Sequence, residues 1–386
     1  MFEHRSFEMH RTPGRIVQDM GASRPFVIRA RAPCGTLRLQ PRRRFVLSVP
    51  PSTDPSLLYR YRDAACATDA LVVAIAELDL LTEIARSPGS VPELALRLGV
   101  AERPLDVIVT LLRSLGVVEP GTLVKCTELG REHLVSGSEF FLRPYYRTLA
   151  TRPQVRGLLE VLRQDKPSAW TGATTSKAWV DAMEGEAFAA EFTAAMDCRG
   201  AYLAPALARA VDLSRSKRVL DIAGGSGIYA CALVDANPGL RATVLERAPM
   251  DRVTRRHVSE RGFSERVAVM AGDMFEDAYP PDHDVHLLSN VLHDWDEAAV
   301  RRLLDKSAAA LPVDGRLVIH DAWLNADKSG PLEVAEYSVF LMFTTVGRCY
   351  AVSELSGWLG ALGFGPITHV PTAAYRSALV ATKLRG

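Results

Sequence analysis

The sequence predicts an α/β protein, in which a mainly helical module precedes a mostly parallel sheet that closes with an antiparallel hairpin. Three observations carry this. From Lys217 onward short apolar runs alternate with helix-like segments, as in "RVLDIA" followed by "GIYACALVDAN", and repeated strand–helix units imply a parallel sheet covered on both faces. The stretch "VLDIAGGSGIYA", Val219 to Ala230, halts an apolar run at Asp221 and then sets Gly224, Gly225 and Gly227 within four positions. A backbone stripped of side chains after a strand serves a close-lying ligand. Between Ser56 and Leu134, apolar residues recur every three or four positions, the helical period.

With 386 residues and 48% hydrophobic content, the chain can build one large or two ordinary domains. It has no uninterrupted apolar run long enough to span a bilayer, so no membrane partner is expected. The net charge of +1 gives no electrostatic case for nucleic acid. The charge is uneven, however. Residues 1–45 carry ten Arg, no Lys and only Glu3, Glu8 and Asp19. Residues 1–52 are read as a basic, poorly ordered extension or an over-long gene start, with an organellar leader as the other reading of an Arg-rich, acid-poor start. The six cysteines form no CxxC pair and no secretory segment follows the start, which points to reduced thiols in a cytoplasm.

In chain order, Pro50, Pro51 and Pro55 interrupt regular structure, and Asp54 is the N-cap candidate of a long helical run beginning "SLLYRYRDAACATDALVVAIAELDLL". "SVPELALRLGV" and "AERPLDVIVTLLRSLGVV" read as two further helices, and "EPGTLVKCTELG" as a turn with a short hairpin. Residues 53–135 thus have a winged-helix-like outline. That raises a DNA-binding regulator as an alternative, but the presumptive recognition helix offers only Arg103 and Arg113 against Glu102 and Asp106, thin for contacts to phosphates. A dimerisation role fits better, because "DALVVAIAELDLL" is too apolar to be left in water.

Residues 136–212 continue as a helical connector. Their aromatics, Phe140, Phe141, Tyr145, Tyr146, Trp170, Trp179, Phe188, Phe192 and Tyr202, are read mostly as core. "FTAAMDCRG" falls at a domain junction, where small-molecule pockets form. Residues 213–386 hold the sheet. Its strands are "RVLDIA", "RATVLE", "RVAVMAGD", "DVHLLSN" and "GRLVIHDAW", and "ITHV" with "SALVATKL" are spaced too closely for another crossover.

Gly225, Gly227 and Ala230 satisfy a loose GxGxxA dinucleotide pattern, so an NAD-dependent dehydrogenase is a rival reading. Against it stand the late position of the turn, Asp221 inside it, "AGDMF" after the third strand and the terminal hairpin. Together these resemble class I S-adenosylmethionine-dependent methyltransferases, with a Rossmann-like domain. "LLSNVLHDWDEAAVRRLL", "LPVDGRLVIHDAWL" and "FLMFTTVGRCYAVSELSGWLGALGF" narrow the resemblance to the small-molecule O-methyltransferases that include caffeic-acid, acetylserotonin and bacterial antibiotic-tailoring enzymes. It covers about Leu57 to Leu384.

The resemblance implies a homodimer that methylates a hydroxyl of a phenolic or polyketide-like metabolite, with S-adenosyl-L-methionine as cofactor and no metal. It assigns Asp221, Gly224, Gly225, Gly227, Glu246, Asp273, Met274 and Ser289 to the cofactor, Glu246 facing the ribose hydroxyls. Met196, Arg199, Asn290, Met342 and Cys349 are assigned to the acceptor pocket. His293 becomes the general base and Asp321 its acidic partner, while Asp294 and Trp295 are read as structural and His286 and His320 as core or wall. The chemistry is coherent: a phenol near ~10 and an imidazole near ~6.5 make full proton transfer before attack cost roughly 5 kcal/mol, so the base acts as the oxygen attacks. Cys349 stands where the family usually has a second glutamate, which leaves Asp321 as the expected sole carboxylate partner. C-methylation of an activated ring is the alternative reaction, and a ligand-sensing regulator with a degenerate methyltransferase domain the alternative of another class.

Overall fold

A computed structural model describes residues 47, 49, 51–168 and 186–384. The tryptophans 170 and 179, the side chain of Phe188 and nearly all of the basic extension lie outside the described residues. Within that extension Leu47 is buried against the sheet's helical layer, so the folded part begins before residue 53.

Seven strands form one sheet in the order β3-β2-β1-β4-β5-β7-β6. They are β1 (Arg218–Ile222), β2 (Arg241–Glu246), β3 (Val267–Ala271), β4 (Val285–Ser289), β5 (Arg316–Asp321), β6 (Thr368–Pro371) and β7 (Ser377–Thr382). The first five pair in parallel, and β7 enters antiparallel between β5 and β6. Pro371, which cannot donate to a ladder, falls on the edge strand β6, where that loss is harmless. Strand order reverses between β1 and β4. The crevice at the carboxyl ends of the strands beside that reversal is where open α/β sheets bind ligands, and the glycine turn, Glu246, Asn290 and Asp321 all sit at those ends.

The N-terminal module contains α1 (Ser56–Asp63), α2 (Ala67–Val72), a π-helical segment (Val73–Glu77), α3 (Leu80–Arg86), α4 (Val91–Leu98), α5 (Glu102–Ser114) and α6 (Glu128–Leu134). The expected single long helix is therefore broken. Asp79 adopts a left-handed backbone with φ 48°, a conformation that Asp tolerates through local hydrogen bonding. Its carboxylate holds Thr82 at 2.8 Å and Arg143 at 2.9 Å. Asp54 accepts from the Ser56 amide at 2.9 Å, one residue before the cap position at Pro55. The wing is shorter than a regular hairpin. Only isolated bridges, Val118 with Cys126 and Gly89 with Val124, form it.

Both arginines of α5 face protein acceptors. Arg103 binds Asp165 and the Gly347 carbonyl, each at 2.7 Å, and Arg113 donates to the Gly121 carbonyl at 2.6 Å. Among the described residues three helices follow: α7 (Arg143–Arg147), α8 (Pro153–Gln164) and α9 (Glu186–Ala210). The expectation that the connector aromatics are core fails for Phe140 and Tyr145, which are 57% and 77% exposed.

The remaining helices are α10 (Ile228–Ala236), α11 (Met250–Glu260), α12 (Glu297–Ala310), α13 (Leu332–Thr344) and α14 (Val352–Ala361). Sequence order does not partition the cores. Val334, Ala335, Tyr337, Val339, Leu341 and Met342 of α13 are buried with Ile108 and Leu112 of α5 in one cluster. A helix apolar on nearly every side must be enclosed by two layers, and α13 is enclosed by the N-terminal module and the sheet domain.

Candidate active site

A cavity of 530 Å³ opens at the carboxyl ends of β1, β2 and β4 and reaches the helical module. Its two ends differ in chemistry.

At the β1 and β2 end the wall is backbone. A Cβ on Gly224 would stand 2.5 Å from the Asp221 carboxylate and 2.8 Å from Val244, so no side chain fits there. The Gly225 amide donates to Glu246 at 2.9 Å and the Arg247 amide to its other oxygen at 2.9 Å. Burial pushes the Glu246 carboxyl up to about 7, although those two amides oppose the rise. Asp273, Met274 and Phe275 close this end, and Asp273 is fixed by the Phe275 amide at 2.8 Å.

Two sequence assignments need correction here. Asp221 is sealed beneath Gly224 and absent from the wall, and burial pushes its carboxyl up to about 7. Gly227 is also off the wall. It caps α10 with φ 72°, and a Cβ there would meet Val258 at 3.0 Å.

At the other end stands His293, in a 3-10 turn that follows β4. Its Nδ1 meets the Asp321 carboxylate at 2.5 Å, and both residues are buried. Burial alone disfavours the imidazolium, yet the carboxylates of Asp321 and Asp294 outweigh it and hold the His293 pKa above the ordinary histidine value. Asp321 is itself held low: burial raises it, but the His293 charge, their hydrogen bond and the Ala322 amide prevail. The Nε2 faces the cavity, with Asp294 Oδ1 at 3.6 Å and the Tyr337 hydroxyl at 3.5 Å.

Asp294 therefore does not serve the following helix, whose N-cap is Asp296. It supplies a second carboxylate to the ring, from a direction the motif does not reveal. Sequence reasoning also missed Tyr337, whose ring lies edge-on to His293 with centroids 5.5 Å apart and whose phenol burial pushes up to about 12. No local pattern in "EYSVF" announces it. Gly347 was missed as well, since a Cβ there would fall 2.0 Å from the His293 carbonyl.

The assigned residues Met196, Arg199, Ser289 and Asn290 do line the cavity. Asn290, left-handed at φ 54°, donates to the Tyr229 hydroxyl at 3.0 Å. Ser289 bonds His320 Nδ1 at 3.0 Å, which makes His320 a buried support for the wall. Met342 and Cys349 do not reach the cavity. Both Leu341 and Met342 belong to the module core, but one step along α13 leaves Leu341 at the cavity's edge and Met342 wholly inside the core, as a helical rotation requires. Cys349 is buried, its amide donates to Ser338 at 3.1 Å, and burial raises its thiol far above the usual range. Among the described residues no group of three or more His, Cys, Asp or Glu is placed to hold a metal ion.

Comparison with known proteins gives this geometry a family. The profile of the O-methyltransferase domain matches residues 156–365. The chain belongs to the O-methyltransferase family. It is an S-adenosyl-L-methionine-dependent methyltransferase. The 3-hydroxy-5-methyl-1-naphthoate 3-O-methyltransferase of Streptomyces sahachiroi is 30% identical over 328 residues, 84% of this chain and 94% of that relative. A solved O-methyltransferase family 2 protein of Planctomyces limnophilus, in complex with apigenin, matches with a TM-score of 0.79 at 32% identity, over 88% of this chain and 98% of that one. The L-tyrosine C(3)-methyltransferase of Streptomyces lavendulae is 31% identical over 183 residues, 46% of this chain and 50% of that relative.

Proposed function

We propose that this O-methyltransferase acts on a hydroxyl of a small aromatic metabolite, with His293 as general base and Asp321 as the group that orients it. The observation that carries the proposal is the 2.5 Å bond from His293 Nδ1 to Asp321, which leaves Nε2 as the ring nitrogen facing the cavity. A base fixed in that way needs no reorganisation when the hydroxyl arrives. The naphthoate relative and the apigenin complex support an acceptor with fused or linked aromatic rings, and Phe192, Phe340 and Leu341 provide an apolar wall for one.

The residues present fit the cofactor. The side-chain-free turn at Gly224 and Gly225 leaves room for its methionine portion, Glu246 has oxygen lone pairs for two ribose hydroxyls, and Asp273 with Met274 would flank the adenine. When bound, the cofactor supplies a sulfonium methyl for in-line displacement. His293 takes the hydroxyl proton on Nε2 as the oxygen attacks, and Asp321 and Asp294 stabilise the imidazolium that results. Tyr337, neutral and buried, shields that nitrogen from solvent on one side.

A second reading, C-methylation of an activated ring, draws on the L-tyrosine C(3)-methyltransferase relative. The same base could ionise such an acceptor. Incubation with labelled cofactor and a panel of phenolic metabolites, followed by NMR location of the methyl group, separates the two. Transfer to none of them would defeat both readings.

We further propose a cytoplasmic homodimer joined through the helical module. No described helix is long and apolar enough to cross a membrane, while Leu58, Tyr61 and Tyr145 of the module and connector are 73%, 77% and 77% exposed. Apolar surface of that kind is typical of an association face.

A further inference from the structure

Arg199 stands in the cavity without a carboxylate. It projects from α9 into the wall beside Met196, its Nη1 donates to the Tyr337 hydroxyl at 3.3 Å, and its Nε is buried and unpartnered. No Asp or Glu among the described residues lies within ion-pair distance of it. Arg376 is held by Asp63 at 2.9 Å and Arg348 by Glu354 at 2.6 Å, and buried Arg113, which also has no acid in that range among the described residues, is met by the Gly121 carbonyl at 2.6 Å. The cavity's own acids are engaged elsewhere, Glu246 with the Gly225 and Arg247 amides, Asp273 with the Phe275 amide and Asp294 beside His293.

A guanidinium Nε–H shielded from water with no acceptor is costly unless an incoming group completes it, and an anion does so best. Its planar fork suits a carboxylate above other groups. The position is specific, because the Tyr337 hydroxyl joins Arg199 at 3.3 Å to His293 Nε2 at 3.5 Å. One aromatic ring can therefore present a hydroxyl to the base and an acidic group to the cation.

We propose that Arg199 binds an anionic oxygen of the acceptor, so that the preferred substrate class is a hydroxyaryl carboxylate. The proposal rests on the reading of the His293 end as the acceptor site. A carboxylate could also come from the methionine portion of the cofactor. Arg199 favours the acceptor because its hydrogen-bond partner, Tyr337, is the neighbour of the base rather than of the glycine turn.

The test is a calorimetric titration of 3-hydroxy-1-naphthoate, its methyl ester and 2-naphthol into the full-length protein saturated with S-adenosylhomocysteine. It requires no turnover. The acid is expected to bind at least about tenfold more tightly than the ester or the naphthol. Arg199→Met should erase that preference and leave S-adenosylhomocysteine affinity within about twofold, and Arg199→Lys should recover part of the preference. Equal binding of acid and ester by the unaltered protein overturns the proposal whether or not the variants fold, and so does binding of none of the three probes. Loss of S-adenosylhomocysteine affinity in Arg199→Met, with the acid preference intact, assigns the arginine to the cofactor and also overturns it. Failure of methyl transfer to every phenol would defeat the functional reading instead, while the acid-to-ester ratio would still answer for Arg199.

Discussion

The imidazole Nδ1 of His293 and the carboxylate Oδ1 of Asp321 lie 2.5 Å apart, both residues buried, with the Ala322 amide holding the same oxygen at 2.8 Å. The pair joins the turn after β4 to the end of β5, neighbouring parallel strands, so the sheet itself sets their separation. His293→Asn is expected to lower kcat by about 10²–10⁴-fold, the usual worth of a general base, with the dissociation constant of S-adenosylhomocysteine unchanged by calorimetry. Turnover that survives the substitution would remove the general-base mechanism.

The pH dependence has a definite sign. His293 must be neutral to accept a proton, and its pKa is raised by Asp321 and Asp294 against the pull of burial. The acid limb of kcat/KM is therefore expected above the ordinary histidine value of ~6.5. Asp321→Asn removes a negative charge and should move that limb to lower pH. Cys349→Glu restores a carboxylate near Asp321 and should move it upward; a profile unchanged by Cys349→Glu would leave the cysteine as filler.

Glu246 trades stability for binding. Burial pushes its folded pKa up to about 7, against ~4.3 in an unfolded chain. The stabilisation from keeping it protonated is complete below ~pH 4, and it fades as pH rises toward 7, because the unfolded chain has already released the proton. Glu246→Gln should flatten this decline, so that denaturant midpoints of the cofactor-free protein at pH 5 and pH 8 converge, while S-adenosylhomocysteine binding weakens by at least about tenfold. Unaltered cofactor affinity would contradict the ribose assignment.

Gly347 tests whether the backbone behind the base matters. An added methyl would meet the His293 carbonyl at 2.0 Å and the Trp295 amide at 2.6 Å, both backbone atoms that cannot swing aside. Gly347→Ala should displace the 3-10 turn and cut kcat by about 10²-fold, since misplacement on the order of 1 Å costs that much. Full activity with intact folding by circular dichroism would show that the turn can yield.

The homodimer is testable without the active site. Sedimentation at micromolar concentration should give a dimer for the full chain and for a version lacking residues 1–50. Charge placed in the exposed apolar surface, Leu58→Glu with Tyr61→Glu, should yield monomers. A monomeric full chain would contradict the proposal.

The amino-acid sequence by itself determined the α/β class, the strand succession from "RVLDIA" to "SALVATKL" and the terminal hairpin, and its motifs carried the family resemblance that assigned Glu246, Asp273, His293 and Asp321 to the site. These were legible because strand and helix periods, turn glycines and short motifs are local: each is written within a few consecutive residues. Only the tertiary structure decided that Leu341 and not Met342 lines the cavity, that Asp294 turns to His293, and that Cys349 is buried in the core. It alone brought Tyr337 beside the base, linked Arg199 to the base through the Tyr337 hydroxyl, and broke the first long helical run, at residues 64–66 and again at Asp79. The physical reason is that periodicity identifies an apolar face without naming what covers it. For α13 the cover comes from α5, over two hundred residues earlier, and for Arg376 the counter-charge comes from Asp63 of α1; such partners are chosen by packing, and local sequence has no means of stating them.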